Sequence, residues 1–217
     1  MSLTAHTHSP LRAIRLHGHP LSGHVHRVEL FLSLLRLPFE KVSVDLARAE
    51  HKSAAFLALN PFGQLPVIED GDLVLADSNA IFVYLALTHD PKGQWLPRDA
   101  MGAARVQRWL SVAAGPLAFG PAAARVAVLF GRPQEQAPRD AAARLFAMMD
   151  QHLATQAFFA AAHPTIADVA LYGYTAHAPE GGVSLAPYTH LRQWLARIEA
   201  LPRFVDLVRS AVPEATA

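Results

Sequence analysis

Residues 60–71 read NPFGQLPVIEDG, and 73–78 continue as LVLADS. The Asn-Pro pair and the Gly mark the first half of this stretch as a loop, and Pro66 keeps the residue before it out of a helix. Within sheets, proline occurs at the start of a strand or on an edge, so Pro66 fits the beginning of a short strand. Asp70-Gly71 is a turn signal between two apolar runs, and the stretch therefore predicts a β-hairpin.

Two interpretations of Pro66 are open at this stage. If the Leu65–Pro66 bond is cis, the backbone amide and carbonyl of Leu65 face outward. Asp77 and Ser78 follow the hairpin and can cap a helix over 79–87. Exposed backbone beside a helix start would form a receptor for an extended peptide that carries carboxylates. If the bond is trans, the stretch is an ordinary hairpin whose polar residues are solvated.

Toward the N-terminus, similar signals predict a compact α/β unit. Residues 11–16 fit a strand, and Ser22 stands where the N-cap of the next helix belongs, ahead of apolar residues at helical spacing. Residues 39–44 alternate as a half-buried strand, and 53–59 fit a short helix. With the hairpin and the helix after it, the order is β-α-β-α-β-β-α, which predicts an α/β domain over 1–90.

The second half of the chain predicts helices only. Residues 91–97 form a linker by composition, and the domain beyond it, 98–217, shows no convincing strand. Prolines between 116 and 138 predict breaks in that stretch. Thr165-Ile166-Ala167-Asp168 has the spacing of a capping box. Helical periodicity is clearest over 100–114, 139–153 and 191–201.

Composition limits the possible functions of this 217-residue chain. Hydrophobic residues make up 52% and charged residues only 17%, which indicates a well-filled core. The net charge of +1 gives no reason to expect nucleic acid or an acidic membrane as a partner. No apolar run is expected to approach the ~20 residues of a membrane span, and the polar N-terminus does not resemble a signal peptide. We therefore expect a cytoplasmic protein.

The chain contains no cysteine, so any thiol chemistry must use the sulfur of a ligand. A histidine-rich N-terminus invites a metal interpretation, but the spacing does not support one. His17 and His19 could share a strand face, whereas His24 and His26 diverge by about 200° on a helix. No carboxylate or cysteine completes a ligand set, so no metal site is predicted. The remaining side chains of interest are interpreted as core (Trp109, Phe119 and Phe130) or as a solvated helix face (Arg105 and Arg108).

Five segments in register carry a resemblance to a known family. They are HPLS at 19–22, HK at 51–52, NPFGQLP at 60–66, DSNAI at 77–81 and TIAD at 165–168. Their order and spacing resemble those of glutathione transferases, nearest to the serine-type, phi-like and bacterial branch. The resemblance implies a thioredoxin-like N-terminal domain that binds glutathione and an all-helical C-terminal domain that completes a pocket for an electrophile. It also implies a homodimer and a role in detoxification.

The resemblance assigns roles to individual residues. Ser22 would donate a hydrogen bond to the glutathione sulfur, and Gly23 beside it is also expected to bind glutathione. The residues implied to bind the rest of glutathione are Gln64, Leu65 and Pro66 at the peptide backbone, Asp77 and Ser78 at the γ-glutamyl end, and His51 and Lys52 near the glycyl carboxylate. Thr165 and Asp168 match a structural cap. Two positions depart from the family: Asp77 replaces the more usual Glu, and His24 stands where relatives often have Asn or another polar residue. His24 lies close to Ser22 and could tune it, but no essential role is expected for it.

Physical chemistry supports the proposed role of Ser22. A free thiol with a pKa near 8.5 is only about 3% thiolate at neutral pH, and lowering the pKa by about two units requires about 2.7 kcal/mol. One hydroxyl donor to a charged sulfur supplies roughly 1.5–3 kcal/mol, and a helix N-terminus adds up to ~1 kcal/mol. We therefore predict conjugation of glutathione to small hydrophobic electrophiles. Glutathione-dependent reduction of peroxides or disulfides, and a non-catalytic binding module of the same fold, remain the alternatives.

Overall fold

The computed structural model describes residues 13–212, and its N-terminal half has the predicted order of elements. The four strands form one sheet in the order β2-β1-β3-β4, with β1 and β2 parallel and the other neighbours antiparallel. This is the thioredoxin-like arrangement. The elements are β1 Ile14–Gly18, α1 Gly23–Leu34, β2 Phe39–Ser43, α2 Ala54–Leu59, β3 Val67–Asp70, β4 Leu73–Ala76 and α3 Ser78–His89.

The C-terminal half is helical, as predicted, and no strand follows β4 in the described part of the chain. Its helices are α4 Ala100–Ala114, α5 Ala123–Leu129, α6 Gln136–Leu153, α7 Ile166–Ala176 and α8 Thr189–Glu199. Helix α7 is buried along nearly its whole length and packs against α1, α3, α4 and α8. One hydrophobic core therefore runs through both halves of the chain.

Several boundaries differ from the predictions. Strand β1 runs from Ile14 to Gly18 rather than ending at residue 16, and the predicted start of this strand at residues 11 and 12 lies outside the described residues. Pro121 does not interrupt the chain as predicted, because it lies in a π-helical turn, Ala118–Ala122, that connects α4 to α5. In a π-helical turn an amide bonds to the carbonyl five residues before it, instead of four. The amide that Pro121 lacks therefore leaves a different carbonyl without a donor than it would in an α-helix.

Two aromatic residues predicted for the core lie on the surface. Trp109 is buried as expected, but Phe119 is 75% exposed and Phe130 is 48% exposed. Phe119 stands beside Gly120, and Gly120 packs so closely on α6 that an added Cβ would lie 3.1 Å from Ala142 N. The close approach of Gly120 turns the neighbouring aromatic side chain outward.

The segment from α4 to α5 also corrects an expectation about apolar runs. Residues 100–129 form a helix of 30 residues that is long and apolar enough to cross a membrane by length and composition alone. Its inner side chains are buried against the rest of the protein, with Val106, Leu110 and Leu117 each 2% exposed or less. A core helix can be as long and as apolar as this one, so length and composition alone do not identify a membrane span.

Candidate active site

A groove of about 730 Å³ opens on the N-terminal domain between the start of α1, the loop before β3 and the start of α3. Most of the predicted site residues line it: Ser22, His51, Gln64, Leu65, Pro66, Asp77 and Ser78. Gly23 and Lys52 are not among its lining residues. The fold therefore brings together segments that are far apart in the sequence.

Ser22 is the N-cap of α1 and is half-buried in the wall of the groove. Its Oγ accepts a hydrogen bond from the backbone N–H of Val25 at 3.3 Å. Since a hydroxyl has two lone pairs and one proton, this bond leaves the O–H free to donate into the groove. The first amides of α1 have no intrahelical acceptor and carry partial positive charge. Both features favour an anionic atom beside Ser22.

The loop before β3 presents backbone to the groove. The Leu65–Pro66 bond is cis, in agreement with the first of the two interpretations of this proline. Strand pairing begins only at Val67, and Leu65 makes no backbone hydrogen bond with any other residue of the described chain. Its amide and carbonyl are therefore available to an extended peptide.

Asn60 holds this loop in shape, a role that the sequence did not suggest. The residue is buried, its Nδ2 donates to Gln64 O at 2.8 Å, and its Oδ1 accepts from Phe62 N at 3.1 Å. Gly63 has φ +58°, and a Cβ there would lie 2.7 Å from His51 O, so glycine is required. The Asn-Pro pair signals a turn, but the contact with Gln64 depends on the complete loop.

The start of α3 supplies two of the predicted ligands. Asp77 is the N-cap, and its Oδ1 accepts from Asn79 N at 2.8 Å and from Ala80 N at 3.0 Å. Its φ of +70° lies in a region that side chains rarely adopt. Ser78 is buried at the first position of the helix, and its hydroxyl has no hydrogen-bond partner among residues 13–212. A carboxylate at this end could bind to the hydroxyl of Ser78 and to its backbone amide, which has no partner among residues 13–212.

His51 and Lys52 differ in position although they are adjacent in sequence. His51 lines the groove, and its Nδ1 is buried without a partner in the described chain. Lys52 Nζ donates to Phe62 O at 3.3 Å and to Gly63 O at 3.2 Å. In this arrangement Lys52 supports the loop before β3, whereas His51 can face a ligand.

Gly23 provides space for a neighbouring helix. A Cβ at Gly23 would lie 2.8 Å from the ring of Tyr174, which comes from α7 of the C-terminal half. Such a separation is shorter than side-chain contacts allow, so only glycine fits at this position. The role that the structure assigns to Gly23 is therefore close packing between the two halves.

His24 lines the groove next to Ser22 and is paired with Arg27, a residue that sequence reasoning missed. Arg27 is 3% exposed, and its guanidinium donates to His24 Nδ1 and to Ala170 O. Burial lowers the pKa of Arg27 to about 10, which leaves it charged at neutral pH. Burial and then the charge of Arg27 lower the pKa of His24 to about 3.

Arg125 of α5 reaches the residue before Ser22 and was also missed. Its Nη1 donates to Leu21 O at 2.8 Å, and its Nε donates to Glu180 Oε2 at 2.7 Å. Glu180 in turn contacts His177 Nδ1 and accepts from Ser210 Oγ. The ion pair is almost completely buried, and it ties the start of α1 to the C-terminal half.

Residues 13–212 contain no cluster of three or more His, Asp or Glu side chains that could hold a metal ion. His6 and His8, which form part of the histidine-rich N-terminus, lie outside the described residues. The groove offers hydrogen-bond donors and free backbone instead. These groups suit an anionic peptide-like ligand.

A thioredoxin-like sheet domain joined to an all-helical domain, with a groove at the start of the first helix, defines the structural class of this protein. Comparison with known proteins agrees with this class. Residues 13–87 match the family model "Glutathione S-transferase, N-terminal domain", and residues 119–202 match "Glutathione S-transferase, C-terminal domain". The chain is 35% identical to Glutathione S-transferase 3 of Zea mays over 92% of this chain and 95% of the relative. The protein belongs to the glutathione S-transferase family.

Solved structures show the same similarity. A glutathione S-transferase from Pseudomonas fluorescens aligns with a TM-score of 0.85 at 31% identity, covering 91% of this chain and all of that one. A possible glutathione S-transferase from Rhodopseudomonas palustris aligns with a TM-score of 0.82 at 32% identity, covering 90% of this chain and 98% of that one. Similarity to plant and bacterial members agrees with the branch that the sequence motifs indicated.

Proposed function

We propose that this protein conjugates glutathione to small hydrophobic electrophiles and that Ser22 stabilises the glutathione thiolate. The single observation that carries the proposal is the free O–H of Ser22 at the start of α1, in the same groove as the unpaired backbone of Leu65. A hydroxyl and a helix N-terminus together offset the cost of ionising a thiol at neutral pH. The proposed step forms a carbon–sulfur bond when the thiolate attacks the electrophile, which releases its leaving group or takes up a proton.

The groove offers a partner for each part of glutathione. The backbone of Leu65 would pair with the cysteinyl residue of the ligand as in a sheet. The start of α3, with Ser78 and the second carboxylate oxygen of Asp77, would bind the γ-glutamyl carboxylate and amine. His51 would contact the glycyl carboxylate, with Lys52 supporting the adjacent loop. The proposal assigns no role to a metal, because these groups account for binding and thiol ionisation.

Turnover tests the role of Ser22. Steady-state rates would be measured with glutathione and 1-chloro-2,4-dinitrobenzene, then with several other electrophiles. We expect Ser22→Ala to lower kcat/KM about 10- to 100-fold, which is the loss of one hydrogen bond to a charged group. Ser184→Ala, on the surface, is the matched control. Equal rates for wild type and Ser22→Ala would remove Ser22 from the mechanism.

Binding separates the proposed enzyme from a non-catalytic module. Calorimetric titration of the wild-type protein with millimolar glutathione should show binding if the groove holds this ligand. Binding without turnover of any electrophile, peroxide or disulfide would favour a carrier of the same fold. Peroxide or disulfide turnover in place of conjugation would favour the reductase alternative, which in a cysteine-free chain must proceed through glutathione alone.

We also propose a cytoplasmic homodimer. Strand β4 is an edge of the sheet, and its residues Leu73 and Val74 are 37% and 42% exposed. An apolar, unpaired edge is a surface that proteins usually cover. Light scattering on the purified protein would measure the mass directly. A mass of 23.5 kDa, that of a single chain, at micromolar concentration would contradict the homodimer.

A further inference from the structure

We propose that His24 is a second hydrogen-bond donor to the glutathione sulfur, and that the buried Arg27 holds it in the tautomer that can donate. This inference rests on the proposed function, since it concerns the same groove and the same sulfur. His24 lines the groove together with Ser22, two residues before it in the chain. The first turn of α1 would then present two side-chain donors to one atom.

The tautomer of His24 follows from its partner. Arg27 Nη2 contacts His24 Nδ1, and a guanidinium can only donate hydrogen bonds. Nδ1 must therefore be the acceptor and carry no proton. A neutral imidazole has a single ring proton, which leaves it on Nε2. His24 is thus a donor at Nε2 whenever the contact with Arg27 is intact.

The geometry directs Nε2 toward the groove. On one side of the imidazole, Nδ1 faces Arg27, whose other contact is Ala170 O of α7 at 3.2 Å. The ring of Tyr174 packs edge-on against the imidazole, with 5.0 Å between the centroids. His24 Nε2 has no hydrogen-bond acceptor among residues 13–212, and it is not one of the side-chain atoms that are buried without a partner. Nε2 is therefore accessible to a ligand. The remaining direction is the groove that His24 lines.

Burial and the charge of Arg27 keep His24 neutral. Arg27 from α1 is a cation without a carboxylate at salt-bridge distance in the described chain. Tyr174 from α7 is a neutral phenol, because burial raises its pKa. A second proton on the imidazole would face the guanidinium directly, so His24 can donate a hydrogen bond but cannot serve as a base near neutral pH. Arg27 acts through His24 and is a positioning residue.

The experiment measures the pKa of the bound thiol. Ultraviolet absorbance of the glutathione thiolate would be followed against pH in complexes with wild type, His24→Phe and His24→Gln. Phenylalanine keeps a ring against Tyr174 but has no donor, whereas glutamine can accept from Arg27 and donate to the groove. We expect His24→Phe to raise the thiol pKa by about one unit and His24→Gln to restore most of that shift. His163→Phe, on the surface, is the control.

The outcomes distinguish this inference from the proposed function. An unchanged thiol pKa in His24→Phe, with glutathione still bound, would overturn the role of His24 and leave the proposed function standing. If His24→Gln raised the thiol pKa as much as His24→Phe does, the role of His24 would be overturned too. Such a result would indicate that both variants disturb the packing, because glutamine keeps a hydrogen-bond donor. Absence of glutathione binding by the wild-type protein would overturn both proposals.

A measurement on the wild-type protein covers the case in which the variants do not fold. Nitrogen-15 NMR of the histidine side chains should show the His24 ring with its proton on Nε2. Addition of glutathione should shift the Nε2–H resonance, and S-methylglutathione, which has no thiol, should leave it nearly unchanged. A proton on Nδ1, or equal shifts with both ligands, would contradict the proposal.

Discussion

Several residues at the groove maintain its shape through their backbone conformation or close packing. Gly63 gives the loop a left-handed turn against the backbone of His51, and Gly23 makes room for the ring of Tyr174. Asp77 keeps a positive φ because its carboxylate caps α3 at two amides. Backbone conformations of this kind persist only when the surroundings enforce them, and they cluster at functional sites. The main requirement on these residues is therefore that they hold the backbone donors of the groove in fixed positions.

Asn60→Ala tests this demand at one residue. The change removes the bonds to Gln64 O and Phe62 N, so the loop that carries Leu65 loses its internal support. We expect a several-fold higher KM for glutathione, with a loss of about 1–3 kcal/mol in the free energy of unfolding. Steady-state kinetics and urea denaturation measure the two quantities.

Asn79→Ala is the matched control for Asn60→Ala. Asn79 Nδ2 donates to Leu110 O of α4 at 3.2 Å, so its removal also costs a hydrogen bond from an amide side chain to a backbone carbonyl. We expect a stability loss of similar size and no change in KM. A similar rise in KM for both variants would show that general destabilisation, and not the shape of the loop, controls binding.

At the scale of elements, α7 is the centre of the molecule. The predicted capping box at its start is present: Asp168 accepts from Thr165 N at 2.9 Å. The same carboxylate accepts from Phe159 N at 3.1 Å and from Trp194 Nε1 at 3.0 Å. One side chain thus caps α7 and joins it to the preceding loop and to α8. The cap was predictable from local spacing, but the bonds to Phe159 and Trp194 were not.

Asp168→Ala should be among the most destabilising single changes in this protein. It removes the Asp168 half of the capping box and leaves the donors of Phe159 and Trp194 buried without partners. We expect the free energy of unfolding to fall by about 2–4 kcal/mol, as measured by urea denaturation. Asp140→Ala is the control, because Asp140 is exposed on α6 and, within residues 13–212, its side chain accepts only from Gln136. A loss below 1 kcal/mol for Asp168→Ala, on the order of a surface change, would contradict the central role of this carboxylate.

For the whole molecule, the contact between the two halves includes a buried polar cluster. Arg125 joins α5 to the carbonyl of Leu21, and Glu180 joins Arg125 to His177 and to Ser210 near the end of the described chain. Burial alone would raise the pKa of Glu180, but hydrogen bonds from its partners outweigh burial, and the pKa is lowered. The ionised form of Glu180 therefore stabilises the folded state.

The lowered pKa of Glu180 predicts a dependence of stability on pH. A carboxylate with a lower pKa in the folded state stabilises above its ordinary value of 4.5 and loses this contribution as pH falls through the lowered value. Glu180→Gln should be less stable at neutral pH and should lose less stability on acidification than the wild type. Urea denaturation at a series of pH values measures both effects.

Glu135→Gln is the control for this pH dependence, because Glu135 is exposed at the start of α6 and makes no side-chain cap. Its curve of stability against pH should follow the wild type. If Glu180→Gln followed the wild-type curve as well, the buried cluster would not be a source of acid sensitivity. Turnover of Glu180→Gln adds a further comparison, since Arg125 would keep its bond to Leu21 but lose the carboxylate that orients it.

Local signals were enough to establish the order of the elements, the hairpin at Asp70-Gly71 and the caps at Ser22 and Asp168. These features depend on turn residues, capping side chains and apolar periodicity within a few positions of the chain. The helix across Pro121 was missed, because a π-helical turn is set by the packing of Gly120 on α6 and has no local signature. The residues at the groove were predictable only where a motif carried them.

Packing alone established which distant residues contact the first turn of α1 and the residue before it. The bond between Arg125 and Leu21 spans 104 positions, and the bond between Arg27 and Ala170 spans 143. No pattern within one segment encodes such contacts, because they require two folded halves to pack together and exclude water around a charge. The sequence therefore indicated the hydroxyl of Ser22, whereas the folded protein placed two buried arginines against its neighbours, Arg125 at Leu21 and Arg27 at His24.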